Sequence, residues 1–237
     1  MIRKFILALI FSIPSIGFAM DFDGFYITAK GGVSKSTDTG KTNYYGNTGI
    51  RNSFHDEGLG TGTAFGVSVG KYITNNFRLE LEAIKRDSYE YDAQDTVMPS
   101  IKVDADIESK AFFINGFYDF QPLSIGNRPI TPYLGGGMGI SRNKMGTKKT
   151  FMNGLLSEHT NAGKTISQFA YKVSTGILFS LTEKLFLDIN YQYAQLGEFK
   201  SGTKTYLAGT VNNSDQKGTN GGKIKSHELM VGLQYKF

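Results

Sequence analysis

In the stretch Leu229–Phe237 every second residue is apolar: Leu229, Val231, Leu233, Tyr235 and Phe237. Gly232, Gln234 and Lys236 stand between them. A period of two belongs to a β-strand with one face in apolar and one in polar surroundings, because successive strand side chains point to opposite sides. Such a strand constrains the rest of the chain. It needs neighbours on both edges and an apolar medium, or a core, on one face.

The same alternation recurs upstream. Phe25, Ile27, Ala29 and Val33 alternate with Tyr26, Thr28, Lys30 and Gly32. Phe65, Val67 and Val69 form a second strand, and Leu79, Leu81 and Ala83 a third, set against Arg78, Glu80 and Glu82. The fourth places Phe112, Ile114, Tyr118 and Phe120 opposite Asn115 and Asp119. The fifth is Gly-rich, with Leu134, Met138 and Ile140 outward. The sixth sets Phe169, Tyr171, Val173, Ile177 and Phe179 opposite Gln168, Lys172, Ser174 and Gly176. In the seventh, Leu185, Leu187, Ile189, Tyr191 and Tyr193 oppose Asp188, Asn190 and Gln192. The stretch at 229–237 is then the eighth.

The segments between strands alternate long and short. Ser34–Thr61, Asp87–Ala105, Arg142–Thr165 and Gly197–Lys223 are polar and read as long loops, whereas 73–76, 121–130 and 181–184 read as short turns. One set of strand positions carries Arg78, Glu80, Glu82, Asp119, Lys172, Asp188, Glu228 and Lys236. A soluble lipocalin-like barrel or sandwich buries its apolar side, and these charges would then face water; a soluble core does not hold so many. The aromatic-heavy opposite face favours lipid. The expectation is an all-β protein: an eight-stranded antiparallel transmembrane β-barrel with four long outer loops and three short periplasmic turns.

The N-terminus fits export. Arg3 and Lys4 precede an apolar run from Phe5 to Phe18, which Pro14 interrupts, and small residues Gly17 and Ala19 follow. This reads as a signal peptide over 1–19, cut before Met20, with the barrel domain over 20–237. Beyond it no apolar run approaches the roughly 18 residues of a spanning helix. Without Arg3 and Lys4 the formal charge of +5 falls to +3, too mild to imply nucleic acid. There is no Cys, so neither lipid attachment at Cys nor disulfides arise.

Several motifs together carry a resemblance. They are Phe77-Arg78-Leu79-Glu80-Leu81-Glu82, Asn115-Gly116-Phe117-Tyr118-Asp119-Phe120, Pro132-Tyr133-Leu134-Gly135-Gly136-Gly137, Phe169-Ala170-Tyr171-Lys172 and Tyr191-Gln192-Tyr193. In order and spacing they resemble the eight-stranded outer-membrane barrel superfamily. That group includes the OmpA transmembrane domain, OmpX, the opacity proteins and the major surface antigens of obligate intracellular bacteria. The chain departs from OmpA in having no peptidoglycan-binding segment after the barrel. The resemblance implies that Leu229, Val231, Leu233, Tyr235 and Phe237 form the strand that the barrel assembly machinery reads. It further implies a surface antigen or adhesin in the bacterial outer membrane, in contact with lipid and lipopolysaccharide.

Inside so narrow a barrel, Lys30, Arg78, Lys172 and Lys236 meet Glu80, Glu82, Asp119, Asp188 and Glu228. They are expected to form an ion-paired plug rather than an ion path, because eight strands enclose little more than side chains. No cofactor, metal site or catalytic group is expected. Ser226-His227-Glu228 suggests a hydrolase, but neighbouring strand residues face opposite ways and do not converge. His55 and His159 lie in loops, where spacing carries no information. Gly135-Gly136-Gly137-Met138-Gly139 lacks the Lys and Ser or Thr of a phosphate loop; its small residues make room for neighbouring side chains.

Among the loops, the third and fourth are basic. Lys144, Lys148, Lys149 and Lys164 on one, and Lys200, Lys204, Lys217 and Lys223 on the other, are the candidate contacts for a host receptor or polyanionic glycan. The alternatives are a small-solute porin-like channel, a structural envelope protein and an outer-leaflet lipid-modifying enzyme.

Overall fold

The computed structural model describes residues 23–37, 42–45, 51–55, 58–95, 100–125, 128–153, 155–202, 204–207, 210–212 and 221–237. The expected signal peptide lies outside the described residues. The strands are β1 (Phe25–Ser36), β2 (Thr42–Tyr45), β3 (Arg51–His55), β4 (Thr61–Tyr72), β5 (Phe77–Asp95), β6 (Ile101–Asp119), β7 (Leu123–Ile125) and β8 (Arg128–Met145). They continue with β9 (Lys148–Met152), β10 (Leu155–Asn161), β11 (Lys164–Ser180), β12 (Leu185–Lys200), β13 (Thr205–Leu207), β14 (Thr210–Asn212) and β15 (Gly221–Lys236).

Eight long strands, β1, β4, β5, β6, β8, β11, β12 and β15, pair antiparallel with their neighbours in sequence. The ring closes where β15 pairs β1, from Tyr26↔Lys236 to Ser36↔Ser226. Closure leaves none of the eight long strands with a free edge in the membrane, the condition for crossing hydrocarbon with sheet. The turns at 73–76 and 181–184 are built alike. Thr74 Oγ1 accepts from the Phe77 amide at 3.0 Å, and Thr182 Oγ1 accepts from the Leu185 amide at 3.0 Å. The third short connection pairs β7 with β8.

The outer face is apolar over the lower part of the wall. Phe65, Val67, Val69, Leu79, Leu81, Phe112, Ile114, Met138, Ile140, Phe169, Val173, Leu229, Val231 and Leu233 are all exposed. Aromatic residues mark its lower rim: Tyr118 packs edge-on against Phe120, and Tyr235 against Phe237, each at 5.3 Å between ring centres. No soluble surface would expose so continuous an apolar band.

The wall continues well beyond the band, and here the structure corrects the reading of polar loops. β5 and β6 run 19 residues each, where about ten span a bilayer. Most of 87–105 is therefore strand, and 142–165 holds the end of β8, β9, β10 and the start of β11. β2 and β3 form a hairpin beside β5, β9 pairs β6 and β10, and β10 carries β13 and β14.

Two β-bulges lie where the outer section begins. One falls between Arg86 and Tyr89, with Ser88 at φ 64°; the other falls between Gln195 and Glu198, with Gly197 at φ 78°. Each shifts the inward phase by one residue. Above them the interior turns apolar: Leu59, Tyr89, Tyr91, Val103, Ile107, Met145, Leu196, Phe199 and Ile224 are buried together. The lower lumen is polar, and the outer section has a core like that of a soluble barrel.

Candidate functional site

The polar lumen has three ion-paired levels. Nearest the turns, Arg78 Nε donates to Asp119 Oδ1 at 3.0 Å, with the guanidinium over the Phe117 ring at 4.4 Å and the Tyr133 ring at 4.7 Å. At mid-height Glu82 lies between two ammonium groups, Lys30 at 2.7 Å and Lys172 in direct contact. Near the bulges Arg86 meets Glu228 through Nε at 2.5 Å and Nη2 at 3.1 Å. Ser34 and Ser226 also donate to Glu228, at 2.8 and 2.7 Å.

Hydrogen bonds join the levels. Arg78 Nη1 donates to the Tyr26 hydroxyl at 3.2 Å, and that hydroxyl donates to Glu80 at 3.2 Å. Asn115 Nδ2 bridges Glu80 at 3.1 Å and Glu82 at 3.0 Å. Lys172 donates to Gln192 at 3.3 Å, and Gln192 in turn donates to Glu228. Glycines make the room: a Cβ on Gly137 would strike the Asn115 amide, and one on Gly70 would strike the Tyr26 ring. That is the role the sequence suggested for the glycines of this stretch.

The nine expected lumen residues therefore differ in how they are held. Lys30, Arg78, Glu82, Asp119, Lys172 and Glu228 are buried and ion-paired. Glu80 is held by Tyr26 and Asn115, and Asp188 by the Tyr133 hydroxyl at 2.7 Å. Lys236 is only half-buried, at the end of the barrel, with its ammonium 4.6 Å from the centre of the Tyr72 ring. Arg86, fully buried and the partner of Glu228, escaped the sequence reading. It lies one step beyond the segment taken as strand, and the alternation Arg78, Glu80, Glu82, Ile84, Arg86 was the available signal.

Leu229, Val231, Leu233, Tyr235 and Phe237 all face outward on the closing strand. Ser226 and Glu228 point inward and His227 outward, its ring in contact with the Tyr191 hydroxyl. These three residues do not form a triad.

The basic residues are not one flexible cluster. Lys148 is a correction: β9 turns it inward, where burial pushes its amine down to about 8. Lys149 stands opposite Asp104, and Lys144 opposite Glu108. Lys200 is half-buried and pairs with Glu198 at 2.8 Å. Lys164, Lys204 and Lys223 are exposed, and Lys223 stands opposite Glu198. Lys217 and the side chains of His55 and His159 lie outside the described residues.

A closed ring of antiparallel strands, charged within and apolar without, defines a bacterial outer-membrane β-barrel. The chain belongs to the outer membrane protein beta-barrel domain family, whose sequence model matches residues 5–237. It is 26% identical over 184 residues, 74% of this chain and 68% of the relative, to a Rickettsia conorii protein named as a candidate adhesin, RC1281. Two solved outer-membrane structures share the fold. Neisserial surface protein A is 20% identical with a TM-score of 0.52, covering 91% of this chain and 98% of that one. OprG of Pseudomonas aeruginosa is 17% identical with a TM-score of 0.55, covering 91% and 96%.

Proposed function

We propose that the protein is a surface adhesin that meets a polyanionic host glycan or acidic receptor patch through its outer section. The observation that carries this reading is the strand-built wall above the membrane band, with its own apolar core and exposed Lys164, Lys204 and Lys223 on the β11–β15 side. A structured rim presents side chains at little ordering cost, which suits recognition. The similarity to RC1281, whose name describes an adhesin, supports the same reading. The proposal also keeps residues 1–19 as a signal peptide and β15 as the strand that the assembly machinery reads.

The test uses the full chain expressed in a non-adherent Gram-negative host. Lys164→Ser, Lys204→Ser and Lys223→Ser together should lower heparin and host-cell binding about tenfold. Raising the salt should produce the same loss, because exposed charges are screened beyond about 8 Å at physiological ionic strength. Lys71→Ser, at the opposite end of the wall, should change nothing. A triple variant that adheres like the parent would overturn the basic-surface mechanism.

A further inference from the structure

The lipid-facing wall is uneven. Phe112, Ile114, Met138, Ile140 and Phe169, on β6, β8 and β11, stand out at 61–68% exposure, whereas Val231 and Leu233, across the ring on β15, reach 49% and 48%. Ala83 pairs with Val67 on one side and Phe112 on the other, and a groove of about 960 Å³ opens over it.

Outward of the band, the same sector is split by charge. On the outer face of β5 and β6, Asp87, Glu90, Asp92, Asp104, Asp106 and Glu108 outnumber Lys85, Lys102 and Lys110, a balance of −3 among the described side chains. Lys85 pairs with Asp87 at 2.6 Å and Lys110 with Glu108 at 3.0 Å. The other four carboxylates oppose one another, Glu90 against Asp106 and Asp92 against Asp104. Like charges so placed repel. Burial first and Asp92 second push the Asp104 carboxyl up from its ordinary value. The neighbouring β8 and β9 present Arg142, Lys144 and Lys149, a balance of +3, with no exposed carboxylate among their described residues. Lys144 borders a recess of about 430 Å³ lined by Glu90, Asp106 and Glu108. Among the described residues, none of these three cations has a carboxylate at ion-pair distance.

We propose that two copies of the chain meet side by side in the membrane at this sector, around a twofold axis along the membrane normal in front of the β6–β8 boundary. Such an axis sets the left half of one copy against the right half of the other, so the patch must complement itself. A split surface does so. The acidic β5–β6 half of each copy faces the basic β8–β9 half of the other, and the match occurs twice. A uniformly basic or acidic patch would repel its own copy. Strands equidistant from the axis also meet. This brings β11 of one copy onto β5 of the other and places Phe169 at the groove over Ala83. Lipid tails are as apolar as the band, so the groove supplies fit and the charged edge supplies the preference for a second copy over lipid. The inference rests on the membrane location of the barrel and not on the adhesin reading.

Energy transfer between labelled copies in phosphatidylcholine vesicles tests it. The chain has no Cys, so Glu183→Cys, exposed in a short turn, takes a donor dye in one batch and an acceptor in another. The refolded full chain should show transfer that saturates with the protein-to-lipid ratio, as a dimer requires. Arg142→Glu with Lys144→Glu makes both halves acidic, and Glu90→Lys with Asp106→Lys makes both halves basic. Each variant by itself should associate about tenfold more weakly than the parent, and mixing the two should restore the dimer. Ala83→Trp, which fills the groove and leaves the charges alone, should weaken the parent's association independently. Mobility in unboiled detergent gels checks folding, and Lys144→Glu with Glu90→Lys as single changes serve if a double variant fails to fold. Three outcomes would each overturn the proposal. These are a parent with only the transfer of random proximity, reversed variants that self-associate like the parent, or a mixture no tighter than its components.

Discussion

A Glu82→Leu chain is expected to lose most of its folded barrel. Glu82 is the carboxylate between Lys30 and Lys172, and all three side chains are buried. Leucine leaves two ammonium groups facing each other in a narrow lumen, with Asn115 deprived of one acceptor. Breaking a buried pair by removing one partner costs about 3–5 kcal/mol, a large share of the stability of a domain of this size. In unboiled detergent gels the variant should run at the unfolded position, and its urea midpoint should fall sharply. Adding Lys30→Met and Lys172→Met should restore folding, because a buried ion cluster replaced by apolar groups of similar volume is often neutral. If Glu82→Leu keeps the parent's midpoint, the central triad does not hold the lumen together.

The second large effect is expected at the closing strand. Tyr235→Ser with Phe237→Ser should reduce assembled protein in the outer membrane severalfold. β15 pairs with both β1 and β12, so the ring cannot close without it. Tyr235 and Phe237 stack edge to face on its lipid-facing side at the lower rim, where aromatic residues anchor a barrel in the interface. The Phe237 amide also donates to the Phe25 carbonyl at 3.0 Å, joining the two ends of the sheet. The resemblance adds that the assembly machinery reads this strand. Undiminished outer-membrane levels in the double variant would contradict both arguments.

The membrane-spanning half was legible because its alternation is unbroken. Leu79, Leu81 and Ala83 against Arg78, Glu80 and Glu82 announce both faces of β5, and the structure places them so. The outer half was misread for a physical reason. Tyr89 and Tyr91 alternate with Glu90 and Asp92, and Val103, Ala105 and Ile107 with Asp104 and Asp106, so the strand signal was present. The bulge at Ser88 shifts its phase by one, and the acidic residues made the composition look like loop. Lys148 escaped for a related reason. A lysine among polar residues reads as surface, and only the turn of β9 against β6 and β10 carries it inside. The lumen pairs depend on shear between strands far apart in sequence, such as Arg86 and Glu228. Periodicity gives the face each occupies but not its partner across the barrel.

On the function proposed above, the barrel is shut and its activity lies at the outer surface. Arg78–Asp119, Lys30–Glu82–Lys172 and Arg86–Glu228 fill successive levels of the lumen, and the apolar core around Tyr89, Tyr91 and Phe199 covers them. An ion would have to displace paired charges in a space little wider than the side chains and then cross an apolar cap. Single-channel recording of the pure refolded protein in planar bilayers tests this most directly. A silent membrane with no steady unitary steps is the expected result. Reproducible steps of fixed size, altered by Glu82→Gln or Lys172→Met, would contradict it and establish a conducting pore.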